Sequence, residues 1–310
     1  MPTTTKLRVA SAPVSFGVDE VLSDDAWMPA PEDMLDWMVD IGFEGTEMGP
    51  PGFLGDATQV QQRLTSRNLE MVGAFIPQHF SRAEHAVDDR AVLRASLRVL
   101  AEGSPAGSRP FAVLSDHFDE PQRLALSGRI PAHPEAWLSD ARFQTLVDNL
   151  HRAAEVCRAE GFEPVLHPHA GTYIETTDEI ARVMGAIDPS LVGLCLDTGH
   201  FRYGGADPTQ AVHDYHALVR HVHIKDCRTA VLEQVAADGK GLEEALSRGV
   251  FCELGAGDSH IDSVIAALQS YDYQGWLVIE QDQALRSSDT PASVVAGQRA
   301  NREYLRNLGI

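Results

Sequence analysis

Acidic and histidine side chains close three apolar segments in the C-terminal half of the chain. Asp197 ends one segment, His223 lies near the end of the next, and Glu280 ends the last. Burying a carboxylate at the end of an apolar strand is costly unless that carboxylate is paired or binds a metal. Carboxylate oxygens and imidazole nitrogens together suit Mn²⁺ or Co²⁺, and also Mg²⁺, Fe²⁺ or Zn²⁺. The pattern therefore predicts a divalent metal ion where the three segments converge.

Alternation along the second of these segments indicates which side chains face inward. His221, His223 and Lys225 share one face of a strand, whereas Val222 and Ile224 share the other. The aliphatic face is expected to meet helices, so the polar face points into the fold. His223 then lies nearer than His221 to the end that carries the site.

A pair of histidines ends an earlier apolar segment. His167 and His169 fall on the same face of the predicted strand. Such a pair chelates a metal, or one imidazole binds the metal while the other donates a proton near neutral pH. A solvent-exposed loop is the alternative interpretation of the pair.

Three further polar residues follow predicted strands and are candidate substrate contacts. Glu47 closes the second strand, His79 follows the third, and Arg228 lies just past the seventh, where it would hold a substrate oxygen bidentately. Each is equally compatible with a solvated surface position. Asp116 and His117, after the fourth strand, are weaker candidates.

Eight short apolar runs alternate with longer amphipathic ones along the chain. The short runs predict buried parallel strands, at Leu7–Pro13, Gly45–Gly49, Glu70–Pro77, Pro110–Ser115, Pro164–His169, Leu191–Asp197, Val219–Asp226 and Gln274–Glu280. The longer runs have helical periodicity, at 34–41, 56–67, 83–101, 143–154, 177–186, 207–218, 259–270 and 290–308. Strands and helices in this order predict an α/β protein with a single (β/α)₈ TIM barrel. A doubly wound open sheet is the alternative, but the glycine fingerprint of a dinucleotide site is absent.

One barrel accounts for the chain as a single domain, residues 1–310, with loop insertions at about 116–139 and 228–258. Loops that follow barrel strands lie over the active site. The second insertion is therefore a candidate lid, with a passive surface excursion as the alternative.

Composition limits the partners that this chain is expected to have. Its 45 acidic and 25 basic residues give a net charge of −20, which repels phosphate backbones and anionic lipid. No stretch reaches the roughly 18 apolar residues of a membrane span, and the first residues do not resemble a secretion signal. The four cysteines form no C-x-x-C pair. We expect free thiols, a cytoplasmic location, and neither nucleic acid nor membrane as a partner.

The three strand ends resemble a known superfamily. Leu196-Asp-Thr-Gly-His200, His223-Ile-Lys-Asp226 and Glu280 are similar to motifs of the xylose isomerase-like sugar isomerases and epimerases, which include endonuclease IV-type barrels. Within that superfamily, the closest resemblance is to inosose (2-keto-myo-inositol) dehydratases, through the segments 42–47, 167–172, 249–251 and 275–282.

The resemblance implies metal ligands on Asp197, His223 and Glu280, with a fourth from the fifth strand. Isomerases of this type usually have a glutamate there, whereas this chain has His167 and no carboxylate before Glu175. His167 is the first choice for the fourth ligand, with His169 and Glu175 as alternatives. A proton shuttle between two glutamates is therefore disfavoured, because it needs one carboxylate on each face of the substrate.

A base with a general acid suits dehydration of a keto-polyol that resembles an inosose. Glu280 is one candidate base, and an imidazole of His167, His169 or His200 would protonate the departing hydroxyl. Lys225 completes the set of catalytic candidates.

Other functions remain open at this point. A sugar or inosose isomerase or epimerase is the second choice, followed by a lyase that cleaves a 3-keto glycoside and by a sugar-binding barrel without activity. Endonuclease activity is disfavoured by the negative charge. A small polyol or sugar is the expected partner, and a homodimer is a further expectation.

Overall fold

The computed structural model describes residues 7–18, 27–282, 285 and 289–310. Residues 1–6, on which the expectation about a secretion signal partly rests, lie outside the described residues. In the described part of the chain, no helix combines the length and apolar character needed to cross a bilayer. All four cysteines are buried and free of disulfides, as expected.

Eight parallel strands close into one barrel, which confirms the predicted (β/α)₈ fold. Hydrogen bonds join the barrel strands in the order β1, β10, β7, β6, β5, β4, β3 and β2. The bounds are β1 Arg8–Ser11, β2 Gly45–Glu47, β3 Glu70–Gln78, β4 Phe111–Asp116, β5 Glu163–Leu166, β6 Gly193–Asp197, β7 Val219–Ile224 and β10 Trp276–Ile279. Each overlaps one of the eight predicted runs.

The eight predicted helices are also present and surround the barrel. They are α1 Pro31–Ile41, α2 Ala57–Thr65, α3 Ala86–Gly103, α5 Asp140–Ala159, α6 Thr177–Met184, α8 Pro208–Tyr215, α11 Ile261–Ser270 and α12 Pro291–Asn307. Local signals set several ends: Asp56 and Thr176 form capping boxes at the starts of α2 and α6. Gly42 ends α1 in the left-handed region at φ 93°, where glycine has no steric penalty.

Four short helices lie in segments for which the sequence predicted no helix. They are α4 Pro121–Leu126, α7 Thr198–Tyr203, α9 Thr229–Ala237 and α10 Leu242–Ser247. Six-residue segments such as α4 and α7 are too short to show a helical period. The helix α7 instead begins at a capping aspartate, Asp197, whose side chain accepts from two backbone amides.

Both predicted insertions pack onto the mouth of the barrel. In the first, Arg123 forms a buried bidentate ion pair with Glu179 of α6, at 2.8 and 2.9 Å. In the second, β9 (Phe251–Cys252) pairs antiparallel with β8 (Asp226–Cys227). Asp226 then accepts hydrogen bonds from the amides of residues 255, 257 and 259. Both insertions are therefore fixed to the barrel by buried polar contacts.

Candidate metal centre

Four side chains from neighbouring barrel strands meet at the carboxyl-terminal mouth. His167 directly follows β5, Asp197 ends β6, His223 lies in β7, and Glu280 directly follows β10. One donor atom of each lies within 4.8 Å of the donor atoms of the other three. All four residues are buried. The structure thus brings together the four residues that were predicted as metal ligands.

Hydrogen bonds define which nitrogen of each histidine offers a lone pair. The Nδ1–H of His167 donates to the Pro168 carbonyl at 2.8 Å, so its Nε2, 3.9 Å from Asp197 Oδ2, is unprotonated. The Nε2–H of His223 donates to Glu47 at 3.0 Å, and its Nδ1 lies 3.6 Å from the same Oδ2. Burial lowers the pKa of His223, but Cys195, Glu280 and Glu47 hold it well above its usual value, so a metal ion at Nδ1 would displace a proton. Metal-binding histidines typically have one nitrogen held by an acceptor and the other directed at the ion.

The carboxylate of Asp197 has one oxygen engaged and one without a hydrogen bond. Oδ1 accepts from the amides of Gly199 and His200, both at 2.8 Å, as the cap of α7. Oδ2 is buried and accepts no hydrogen bond from the described residues, although the ammonium of Lys225 lies 3.3 Å away. The Nδ1 of His223 is likewise buried without a hydrogen bond of good geometry, although Glu280 Oε2 lies 3.1 Å away. Buried polar atoms are rarely left without partners, so these two atoms fit a bound cation.

Glu47 lies beneath this cluster, which differs from the substrate contact expected from the sequence. Its Oε1 accepts from both His221 and His223, at 2.8 and 3.0 Å, and its side chain is 3% exposed. Burial raises the pKa of Glu47, but the two histidines lower it more, to about 2. Glu47 is therefore an ionised acceptor that orients His223.

Lys225 places its ammonium among three carboxylates at the edge of the cluster. Its Nζ lies 2.9 Å from Glu280, 2.9 Å from the nearer oxygen of Asp282 and 3.3 Å from Asp197. Burial lowers the pKa of Lys225, but the three carboxylates together hold it well above its usual value. Lys225 is therefore a protonated, buried side chain next to the candidate ligands.

Asp282 is a site residue that the sequence analysis did not select. It falls two residues after Glu280, so period-two alternation alone places both side chains on one face. An oxygen of Asp282 and nitrogens of His169 and His200 lie within 4.8 Å of one another. Burial raises the pKa of Asp282 to about 7. These three residues lie together beside the cluster of candidate metal ligands.

The two imidazoles of this group are close together and neutral. The ring centroids of His169 and His200 are 3.8 Å apart. Burial lowers the pKa of His169 to about 4 and the pKa of His200 well below its usual value. The Nδ1–H of His169 donates to the Ala170 carbonyl at 2.8 Å, which leaves the lone pair on Nε2.

Two other predicted substrate contacts lie away from the cluster. His79 is held at the rim between Asp89 and Asp119, whose oxygens lie 2.7 and 3.2 Å from its ring nitrogens. Arg228 donates to the Gly249 carbonyl at 3.1 Å, within the second insertion. Both residues are held here by contacts within the protein, and their role as substrate contacts stays a prediction.

The alternative fifth-strand ligand Glu175 is also engaged elsewhere. Its oxygens accept from the Ser127 hydroxyl at 2.6 Å and from the Gly128 and Gly171 amides at 2.8 and 2.5 Å. Glu175 therefore links the first insertion to the loop after β5. Among the described residues, it does not belong to any group of side chains that could hold a metal ion. Of the three open choices, His167 is the one beside Asp197.

Comparison with known proteins shows the family of this chain. The family model described as Xylose isomerase-like TIM barrel matches residues 35–308. The chain belongs to this family. An inosose dehydratase from Geobacillus kaustophilus (strain HTA426) is 33% identical over 288 residues, covering 91% of this chain and 89% of that protein.

Two solved structures share the fold of this chain over most of its length. A crystal structure of IOLI protein with a zinc atom bound has a TM-score of 0.69 at 12% identity, covering 97% of this chain and 98% of that chain. A structure of L-ribulose 3-epimerase also has a TM-score of 0.69, at 16% identity, covering 98% of this chain and 94% of that chain. At these identities the similarity shows the fold alone. The relatives that match about nine-tenths of this chain by sequence are dehydratases, so this chain is an enzyme.

Proposed function

We propose that the chain is a divalent-metal-dependent dehydratase that removes water from a cyclic keto-polyol resembling an inosose. The observation that carries the proposal is the position of the four-ligand cluster directly beside Lys225, Asp282 and two neutral imidazoles. The 33% identity to an inosose dehydratase supports the same substrate class.

His167, Asp197, His223 and Glu280 would hold the metal through two nitrogens and two oxygens. This donor set suits Mn²⁺ or Co²⁺ best, and it also accommodates Fe²⁺, Zn²⁺ or Mg²⁺. A bound divalent ion would polarise the substrate ketone and so acidify the adjacent carbon–hydrogen bond. Glu280 supports a ligand role better than the role of base, because its Oε2 already faces His223 Nδ1 at 3.1 Å and Lys225 Nζ at 2.9 Å.

The proton chemistry is assigned to His169 and Lys225. The unprotonated Nε2 of His169 is suited to take the proton from the carbon next to the ketone, because its other nitrogen donates to a carbonyl. Lys225, a protonated side chain beside the cluster, would give its proton to the hydroxyl on the following carbon. The electron pair of the broken C–H bond forms the new C=C bond, the C–O bond breaks, and the hydroxyl leaves as water.

The histidine at the end of β5 supports dehydration over epimerisation. Epimerisation by two carboxylates removes a proton on one face of the substrate and returns it on the other. Here the residue after β5 is His167, and the nearby Glu175 is bound to the first insertion. An isomerase or epimerase therefore stays the second candidate.

The test combines product analysis with metal analysis on matched variants. The purified enzyme is loaded with Mn²⁺ or Co²⁺ and given an inosose, and the expected product is an unsaturated, ultraviolet-absorbing diketone or enol. We expect Asp197→Ala to lose both metal and turnover, and His169→Gln to lose turnover while it keeps the metal. His133→Gln, on the surface of the first insertion, is the control and should change neither.

Each contrary outcome has a defined meaning. An isomeric polyol as the product would move the assignment to an epimerase. Binding without turnover of keto-inositols or keto-sugars would favour a sugar-binding barrel. A parent protein that takes up no metal would refute the metal-dependent mechanism. The cytoplasmic location, the homodimer and the exclusion of nucleic acid and membrane partners remain predictions.

A further inference from the structure

A second histidine cluster lies at the rim of the mouth, outside the site described above. His79 follows β3, and His117 and Asp119 follow β4. One donor atom from each residue lies within 4.8 Å of the other two. Nε2 of His79 is 3.2 Å from Asp119 Oδ2, and Nδ1 of His117 is 3.5 Å from Asp119 Oδ1. None of the three is shared with the central cluster.

A carboxylate holds the ring of His79 in place, as is common for metal-binding histidines. The Nδ1–H of His79 donates to Asp89 Oδ1 at 2.7 Å, while Asp89 Oδ2 accepts the His79 amide at 2.8 Å. The carboxylate therefore fixes the ring and leaves Nε2 facing Asp119. This carboxylate–histidine arrangement is typical of the residues behind metal-binding histidines.

The second histidine supplies an independent observation. The Nδ1 of His117 is buried at the atomic level and forms no hydrogen bond with the described residues. A buried polar atom without a partner carries a free-energy cost unless something binds it. Its nearest charged neighbour is Asp119, which also faces His79.

We propose that His79, His117 and Asp119 bind a second divalent transition metal ion, with Zn²⁺ the best match. Zinc bonds of about 2.0–2.1 Å in a tetrahedral site place neighbouring ligand atoms about 3.3 Å apart. His79 Nε2 lies 3.2 Å from one oxygen of Asp119 and His117 Nδ1 lies 3.5 Å from the other, and both distances are close to that spacing. Three protein ligands leave a fourth position for water or another small ligand.

Two features make this site weaker than the central one. Arg82 also donates to Asp119, which spreads the carboxylate's charge over two cations. The rings of His79 and His117 are stacked 4.2 Å apart at an angle of 8°, and a shared ion requires the two ring planes to tilt toward it. We therefore expect the rim site to fill only after the central site.

The rim site is separate from the proposed reaction. Phe118 contacts both His117 and His169, with ring centroids 5.8 and 5.2 Å away, and so lies at the boundary of the two clusters. The proposal does not depend on dehydratase activity, because it concerns only the binding of an ion.

The experiment titrates the chelator-treated, full-length protein with Zn²⁺ alone in a calorimeter. The parent should bind two equivalents in two affinity classes. His117→Ala and Asp119→Asn should each lose the weaker class and keep the stronger one. His133→Ala is the matched control, since His133 lies in the same insertion and also pairs with a carboxylate, Glu135, at 3.0 Å; it should keep both classes.

The opposite results are equally clear. Zn²⁺ binding that is unchanged in both His117→Ala and Asp119→Asn, whether the parent takes up one equivalent or two, would overturn the proposal. Circular dichroism melts accompany each titration, so loss of the weaker class counts only in a variant that melts like the parent. Because Asp119→Asn retains the shape of the side chain, it tests the site even where His117→Ala does not fold.

Discussion

Replacing Glu47 with glutamine tests how much Glu47, which lies beneath the candidate metal ligands, contributes to metal binding. Glutamine keeps the size of the side chain and an oxygen that accepts a hydrogen bond. It removes the negative charge that now faces His221 at 2.8 Å and His223 at 3.0 Å. The lone pair on His223 Nδ1 then becomes less basic, and the ring is held less firmly.

The magnitude follows from the hydrogen bond to His223. Bonds that involve a charged group contribute about 1.5–3 kcal/mol, against about 1 kcal/mol for neutral ones. The loss to His223 is therefore about 1–2 kcal/mol, and each 1.4 kcal/mol is a factor of about ten in affinity. Carboxylates behind metal-binding histidines are typically worth about 10- to 100-fold in affinity. We expect Glu47→Gln to bind Mn²⁺ or Co²⁺ about tenfold more weakly.

The assay is competition with a chromophoric chelator, followed by turnover at saturating metal. Glu44→Gln is the matched control, because Glu44 lies three residues earlier and is half-exposed against Arg8. The control should bind metal like the parent. If Glu47→Gln also retains the affinity of the parent within about twofold, Glu47 does not orient His223 as we infer.

Three further perturbations test other parts of the structure. Asp282→Asn should lower kcat about tenfold or more at unchanged metal content, because the Lys225 ammonium loses one of its three carboxylate partners; equal kcat in both proteins would remove Asp282 from the site. Arg123→Met should destabilise the fold by about 3 kcal/mol in urea unfolding, since it leaves the buried carboxylate of Glu179 unpaired, and adding Glu179→Gln should recover part of that loss. Burial raises the pKa of Asp116 to about 7, so the folded state holds that proton more tightly than the unfolded chain does. Its contribution is complete below about pH 4 and is lost as the pH rises through 7, by up to about 4 kcal/mol. Asp116→Asn should therefore lose less stability than the parent between pH 5 and 8, and parallel pH profiles would contradict this reasoning.

Sequence patterns predicted the barrel well because its signals are local. Apolar runs bounded by turn residues mark the eight strands, and period-two alternation in β7 places His223 on the inner face. The short helices in the two insertions were missed, since their few turns do not establish a period. Asp282 was missed although the alternation that selects Glu280 also selects it.

The sequence was less informative about contacts between distant strands. His79 and Arg228 follow strands, as substrate-binding residues do. In the structure, however, His79 contacts Asp89 and Asp119, and Arg228 donates to the backbone of the second insertion. Asp89 lies in α3, Asp119 lies in the first insertion, and Gly249 lies 21 positions from Arg228 in the second insertion. A position at the end of a strand predicts that a side chain lies near the mouth of the barrel. It does not predict which neighbouring residue forms a hydrogen bond with that side chain.

The sequence by itself determined the chemistry available at the mouth: one polar donor at the end of each of four successive strands, on a barrel scaffold. Only the tertiary structure decided how that chemistry is distributed. Glu47 and His223 are 176 positions apart in the chain, and their hydrogen bond sets which nitrogen of His223 faces the cluster. Glu175 accepts a hydrogen bond from Ser127 in the first insertion, and His167 is the residue that lies beside Asp197. Closure of the barrel creates these pairings, because residues on different strands become neighbours only when every strand is in register.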